Sequence, residues 1–244
     1  MECGEATFNN LLIFPFHKAA AITVGEETNS GAQFKMGGVA LTAMKRQTKG
    51  DGNASIYLAG GIIKLYGLCE LEVLLLETSS HFGCEDKAKS SFDHHKGLFG
   101  GVSMLKTIAD EPSYGLIEAF SKLKALFVHA SGTRILLWSL KYIKDGPAYE
   151  LWLEKVFDIN PKFGKSVEQL PQALSFYWKL KCLSRQIVDA VEELKYEHKK
   201  VLKQCRFTSL PVDNRGKVVN PNIMKLTEAE DKTGLSEIGP FYTQ

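Results

Sequence analysis

Apolar positions recur along residues 171–205 in steps of three, four and seven: Phe176, Leu180, Leu183, Ile187, Val191, Leu194 and Val201. That period keeps one face of a helix apolar. No glycine or proline interrupts the run after Pro171, which falls in the first turn, where helices tolerate it. The pattern predicts a single helix of roughly 50 Å, long enough to cross a whole domain.

Upstream the pattern shortens. Residues 8–16 and 20–24 are brief apolar runs that read as strands, and 71–77 reads as another. Residues 33–46 and 55–68 flank Gly50-Asp51-Gly52, and an Asp-Gly step between two apolar runs is a hairpin signal. Gly37-Gly38 and Gly60-Gly61 inside those runs predict bulges or a sharply bent sheet. Residues 81–101 are polar and punctuated by glycine, and read as a connector. Beyond it, helices are expected over 102–109, over 116–127 with a Ser113 cap, over 133–144, and from Pro147 through Trp152, Val156 and Phe157.

The expected class is therefore α+β. A β-rich unit spans residues 1–80, a connector 81–101, a helical lobe built on the long helix 102–206, and an extended C-terminal arm 207–244. In the arm, 212–219 reads as a last hairpin, and Ile238, Phe241 and Tyr242 are apolar enough to serve self-association, in a homo-oligomer or on the chain's own body.

Charge changes the picture only when it is divided along the chain. The net value is +2 over 244 residues. Residues 1–116 hold 10 Lys/Arg against 13 Asp/Glu, or −3. Residues 117–206 hold 16 against 10, or +6, and the remainder holds 4 against 5, or −1. The basic excess sits in the region of the long helix. Lys179, Lys181, Arg185, Lys195, Lys199, Lys200, Lys203 and Arg206 are the candidate contacts to a polyanion, whether nucleic acid or an anionic membrane.

Candidate chemistry is sparse. Phe92-Asp93-His94-His95-Lys96 contains an Asp-His-His triplet that resembles the signature of the phosphoesterases named for that motif. There the triplet helps hold a divalent metal pair, so the resemblance implies a metal-dependent phosphohydrolase using Asp93, His94 and His95. The lead-in Lys89-Ser90-Ser91 is not the buried strand those enzymes place before the triplet, and their upstream aspartates are missing. His81 and Cys84, with His94 and His95, are acceptable zinc ligand types, but adjacent histidines seldom turn both rings to one ion. Gly97-Leu98-Phe99-Gly100-Gly101 lacks the spacing of a phosphate loop, and no G-x-S-x-G occurs. No catalytic residue and no cofactor is assigned on this basis.

The five cysteines are odd in number and scattered, which fits a reducing compartment. No apolar run reaches bilayer length and no signal-peptide pattern is present, so the cytoplasm is expected, the nucleus included as an alternative. The function that best fits is a non-enzymatic assembly protein binding a polyanion through a basic helical region, the description of a viral nucleocapsid-, coat- or matrix-type protein. The alternatives are the metal hydrolase and a protein–protein interaction module using the long helix.

Overall fold

The structure is a computed structural model and describes residues 4–48, 57–111, 113–114, 116–144, 148–159, 166–205, 215–219 and 221–226. Its centre is a six-stranded sheet in sequential order: β1 (Ala32–Ala40), β2 (Leu58–Leu65), β3 (Leu71–Ser79), β4 (Lys124–Ser131), β5 (Arg134–Ile143) and β6 (Ala148–Asp158). Every neighbouring pair is antiparallel except β3 and β4, which run parallel. A parallel pair needs a crossover connection. The long helix α4 (Lys87–Asp110) supplies it, with the short α5 (Ile117–Phe120) after it.

Helices cover both faces of the sheet. On one face, α4 lies on β3, β4 and β5. Phe127, against which Gly97 of α4 sits, pairs with Trp138. The next residue, Ser139, therefore points to the other face. It donates a hydrogen bond to Glu154, which also bridges Lys179 of α6 (Ser166–Cys205). That second face is completed by α2 (Phe14–Thr28), preceded by α1 (Glu5–Phe8) and a π-helical turn, Asn9–Ile13. Double coverage explains why β3 is buried at every position and reads as a near-continuous apolar run.

The α+β class and the long helix stand as expected, but α6 starts at Ser166, so Pro171 lies inside it rather than in its first turn and the helix is about 60 Å long over 40 residues. The pairing of residues 33–40 with 58–64 is also as expected, and the register shifts between Met36 and Val39, at Gly37-Gly38, both at positive φ. Between them, residues 42–47 form a short helix, α3 (Thr42–Gln47), whose first N–H groups donate to the buried Glu72. Gly50-Asp51-Gly52 lies outside the described residues.

Four expectations are corrected. The runs 8–16 and 20–24 are helical, because α2 is apolar nearly all round and short apolar runs do not separate a strand from a buried helix. Most of the 81–101 connector is the first half of α4, started by Asp86, whose side chain accepts the Lys89 N–H at 2.9 Å. Where helices were expected over 116–127, over 133–144 and from Pro147 through Phe157, strands occupy 124–131, 134–143 and 148–158. Gly132-Thr133 is the β4–β5 hairpin turn, with Gly132 at φ +60°. In the tail, the hairpin over 212–219 gives way to the helical turn α7 (Arg215–Val218). It docks on the chain's own body, where the Arg215 N–H donates to Ser113 O and Lys106 reaches Gly216 O. Ile238, Phe241 and Tyr242 lie outside the described residues.

The β2–β3 turn carries backbone strain. Leu71 N–H donates to Leu68 O across Cys69 and Glu70, both in the left-handed region at φ 58° and 56°. This is the backbone of a type I′ turn, for which Asn-Gly is the favoured sequence. Replacing Cys69 and Glu70 by Asn and Gly is expected to raise stability by about 1 kcal/mol, read as a higher urea midpoint at unchanged slope.

Candidate functional site

Two regions hold the residues singled out in the sequence. The first lies under the N-terminal half of α4. Helical spacing turns Asp93 inward, and the parallel pairing aligns Ser79 with Ser131 and Glu77 with His129. The result is a buried polar network built from elements far apart in sequence. The Ser79 hydroxyl donates to Asp93 Oδ2 at 2.8 Å and meets His129 Nε2 at 2.8 Å. A hydroxyl has one proton to give, so His129 Nε2–H is the donor to Ser79. Lys89 closes on Asp93 Oδ2 at 3.3 Å. Next to this chain, Lys96 Nζ bridges Glu77 Oε2 at 3.0 Å, and the Tyr57 hydroxyl reaches Glu77 Oε1 at 3.1 Å.

Burial dominates the electrostatics. Desolvation pushes Glu77 up to about 7, with Lys96 pulling against it. It also raises Asp93, opposed by Lys89. The neutral form is favoured in His129, lowered to about 3, and in His94, lowered to about 4; both shifts come first from burial and then from a neighbouring histidine.

Serine, histidine and aspartate in contact invite a nucleophile reading, but the order is wrong. In a nucleophilic triad the histidine accepts the serine proton and the carboxylate orients the histidine. Here Ser79 stands between the other two and gives its proton to Asp93. Ser79, Asp93 and His129 are also all buried. The arrangement ties β3, β4 and α4 together and presents no attacking atom.

The metal candidates do not converge. His95 Nδ1 bonds back to Ser91 O within α4 at 2.8 Å, and its ring stands at 84° to that of His94. His81 and Cys84 lie in the turn before α4. Among the described residues, no three His, Cys, Asp or Glu side chains gather in a way that could hold an ion.

The second region is the basic side of α6, which the structure divides. Lys179 is tied to Glu154, and Lys181 and Arg185 both to Glu27 of α2, at 2.7 and 3.1 Å. Those three cations are partnered inside the fold. Lys195, Lys199, Lys200 and Lys203 make no ion pair among the described residues, and the last three are exposed. Of the acids beside them, Glu193 pairs with Lys122 and Glu197 accepts the Leu116 N–H. Lys195 and Lys199 also edge a shallow cleft of about 160 Å³, together with His198, Cys69, Leu71 and Glu111. His198 Nδ1 accepts the Tyr114 N–H at 3.2 Å, which leaves Nε2 as the ring's donor. Arg206 lies outside the described residues.

No protein family, curated protein or solved structure matches the chain. The two regions differ in kind. The first is closed, with Asp93 and Glu77 both paired; the second is open and carries lysines that make no ion pair among the described residues. Sequence reasoning missed Ser79, His129, Glu77 and Tyr57 altogether. Glu77, the charged end of the apolar run Leu74-Leu75-Leu76, was the one local signal.

Proposed function

We propose that this protein is a non-enzymatic binding protein that contacts a phosphate-rich polyanion through the last three turns of α6. The observation that carries this reading is the contrast along one helix. Each of its upstream cations is ion-paired, Lys179 with Glu154 and both Lys181 and Arg185 with Glu27, whereas Lys195, Lys199, Lys200 and Lys203 are left without acidic partners among the described residues. A helix C-terminus already carries partial negative charge, which accommodates a few cations. Four within nine residues on an exposed end exceed what that dipole needs, and such clusters bind phosphates by releasing counterions.

The test compares two triple variants, both with glutamine so that helix propensity is kept. Lys199→Gln, Lys200→Gln and Lys203→Gln together are expected to weaken binding to a fluorescent 20-nucleotide RNA by about tenfold or more at low salt, and to flatten the dependence on salt by about two units in log–log slope. Lys179→Gln, Lys181→Gln and Arg185→Gln together should leave affinity within about twofold, because those charges are already partnered. Phosphatidylserine vesicles in a parallel titration separate a lipid from a nucleic-acid polyanion. Equal losses in both triples would remove the assignment to the helix end.

A further inference from the structure

We infer that the outer face of α2 is a homodimer interface, the occupant being the α2 of a second copy related by a two-fold axis. This stands apart from the polyanion reading and uses the other end of α6.

Apolar residues on α2 are not confined to its buried side. The inner side buries Phe14, His17, Ala20, Ala21 and Val24. Its outer side carries apolar residues too, among Lys18, Glu26 and Glu27, and lies open. Ile22 is 45% exposed and Phe16 41%, while Leu11 and Leu12 in the preceding π-helical turn are 65% and 40% exposed. The surface continues onto α6, where Leu174 and Trp178 are 60% and 66% exposed. It is one patch, because Tyr177 between them stacks on Phe16 at 4.8 Å and its hydroxyl bonds Leu12 O at 3.1 Å. These six side chains leave on the order of 600 Å² of apolar surface uncovered per chain. That is at the upper end of about 300–600 Å² for the largest patch on a monomer, a size that is often functional, and approaches the ~800 Å² per partner of a stable interface.

The charges on this face name the occupant. Lys18, Ile22 and Glu26 follow one another at four-residue steps along one line of α2. Lys18 and Glu26 are exposed and make no ion pair among the described residues, whereas the neighbouring Glu27 is taken by Lys181 and Arg185. In an antiparallel pair of α2 helices with Ile22 on the two-fold axis, each Lys18 meets Glu26 of the other copy. The face is then complementary to itself in charge, as an isologous interface requires. A lipid surface would match the apolar side chains but gives Glu26 no partner.

Sedimentation equilibrium of the full chain at neutral pH and physiological salt tests this. The wild type is expected to be a dimer at concentrations of about 10 µM and above. Ile22→Asp, which places two carboxylates on the axis, is expected to be monomeric with an unchanged circular dichroism spectrum. Lys18→Glu and Glu26→Lys should each raise the dissociation constant by about tenfold, and the double exchange should return it to within about threefold of wild type. A monomeric wild type, a dimer indifferent to Ile22→Asp, or a double exchange no better than the singles overturns the proposal. So does a monomer whose tryptophan emission shifts on adding phosphatidylcholine vesicles, which would give the face to lipid.

Discussion

At pH 5 the protein is expected to be about 3 kcal/mol less stable than at pH 7, a large share of the roughly 5–15 kcal/mol typical of a folded domain. The loss comes from three buried histidines held neutral: His17 at about 4, His94 at about 4 and His129 at about 3, in each case lowered first by desolvation. In the unfolded chain each titrates near its ordinary value of about 6.5. Between that value and the folded one the unfolded state binds more protons, so stability is whole above it and drains away as pH falls. Each histidine contributes a loss of about 2 kcal/mol by pH 5. Glu77 works in the opposite direction. With a folded value of about 7, it takes up its proton in the folded state first and returns about 2 kcal/mol over the same interval. Asp93, also raised, adds to that side. The histidines win by number. Urea unfolding at pH 7, 6 and 5 measures the slope, and a flat profile would show that neither α2 nor the α4–sheet network holds its histidines neutral. His17→Leu isolates one contributor: His17 is fully buried, its Nδ1 donates to Ile13 O and its Nε2 has no partner. That variant should lose about 2 kcal/mol less than wild type between pH 7 and pH 5.

That network also shows what the sequence could and could not reveal. The 171–205 helix was legible because seven apolar positions repeat at one period over many turns, and the Gly37-Gly38 bulge because two glycines stand in a strand that needs positive φ there. Residues 133–144 were misread because Leu136, Leu140 and Ile143 fit a helical face as well as a strand. What decides for a strand is pairing with β4 and β6, which no local pattern records. The polar network was illegible for a stronger reason. Ser79, Asp93 and His129 are separated by 14 and 36 residues, and only the parallel β3–β4 pairing with α4 across it brings them together. The Asp93-His94-His95 triplet was singled out for metal chemistry, whereas what Asp93 makes is a buried hydrogen bond with Ser79. On α6 the sequence supplied the cations and not their partners. Glu27 lies more than 150 residues upstream of Lys181, so which lysines remain free is a property of the tertiary structure alone.

The glycines of α4 carry the second large effect, and they explain why that helix looked like a loop. Gly97, Gly100 and Gly101 break the helical pattern to the eye, yet they sit where α4 presses on the sheet. A Cβ at Gly97 would lie 2.2 Å from the Phe127 ring, against an ordinary carbon–carbon contact of about 3.5–4.0 Å. Phe127 cannot swing aside freely, since it stacks on His129 and touches His94. Gly97→Ala is therefore expected to destabilise the protein by about 2–3 kcal/mol, even though alanine in a helix is favoured over glycine by about 1 kcal/mol. The same substitution at Gly101 meets only Leu140 Cδ2 at 3.4 Å, an ordinary contact, and should be neutral or stabilising by up to about 1 kcal/mol. Gly100 falls between, because its nearest obstacle at 2.6 Å is the movable end of Leu75, with the Tyr57 hydroxyl behind it at 3.0 Å. Urea midpoints should therefore rank Gly97→Ala lowest, Gly100→Ala next and Gly101→Ala highest. A Gly97→Ala variant as stable as wild type would mean that α4 can move away from the sheet at little cost. The spacing that holds Asp93 over Ser79 and Lys96 over Glu77 would then have to be set by those polar contacts rather than by the close approach of helix and strand.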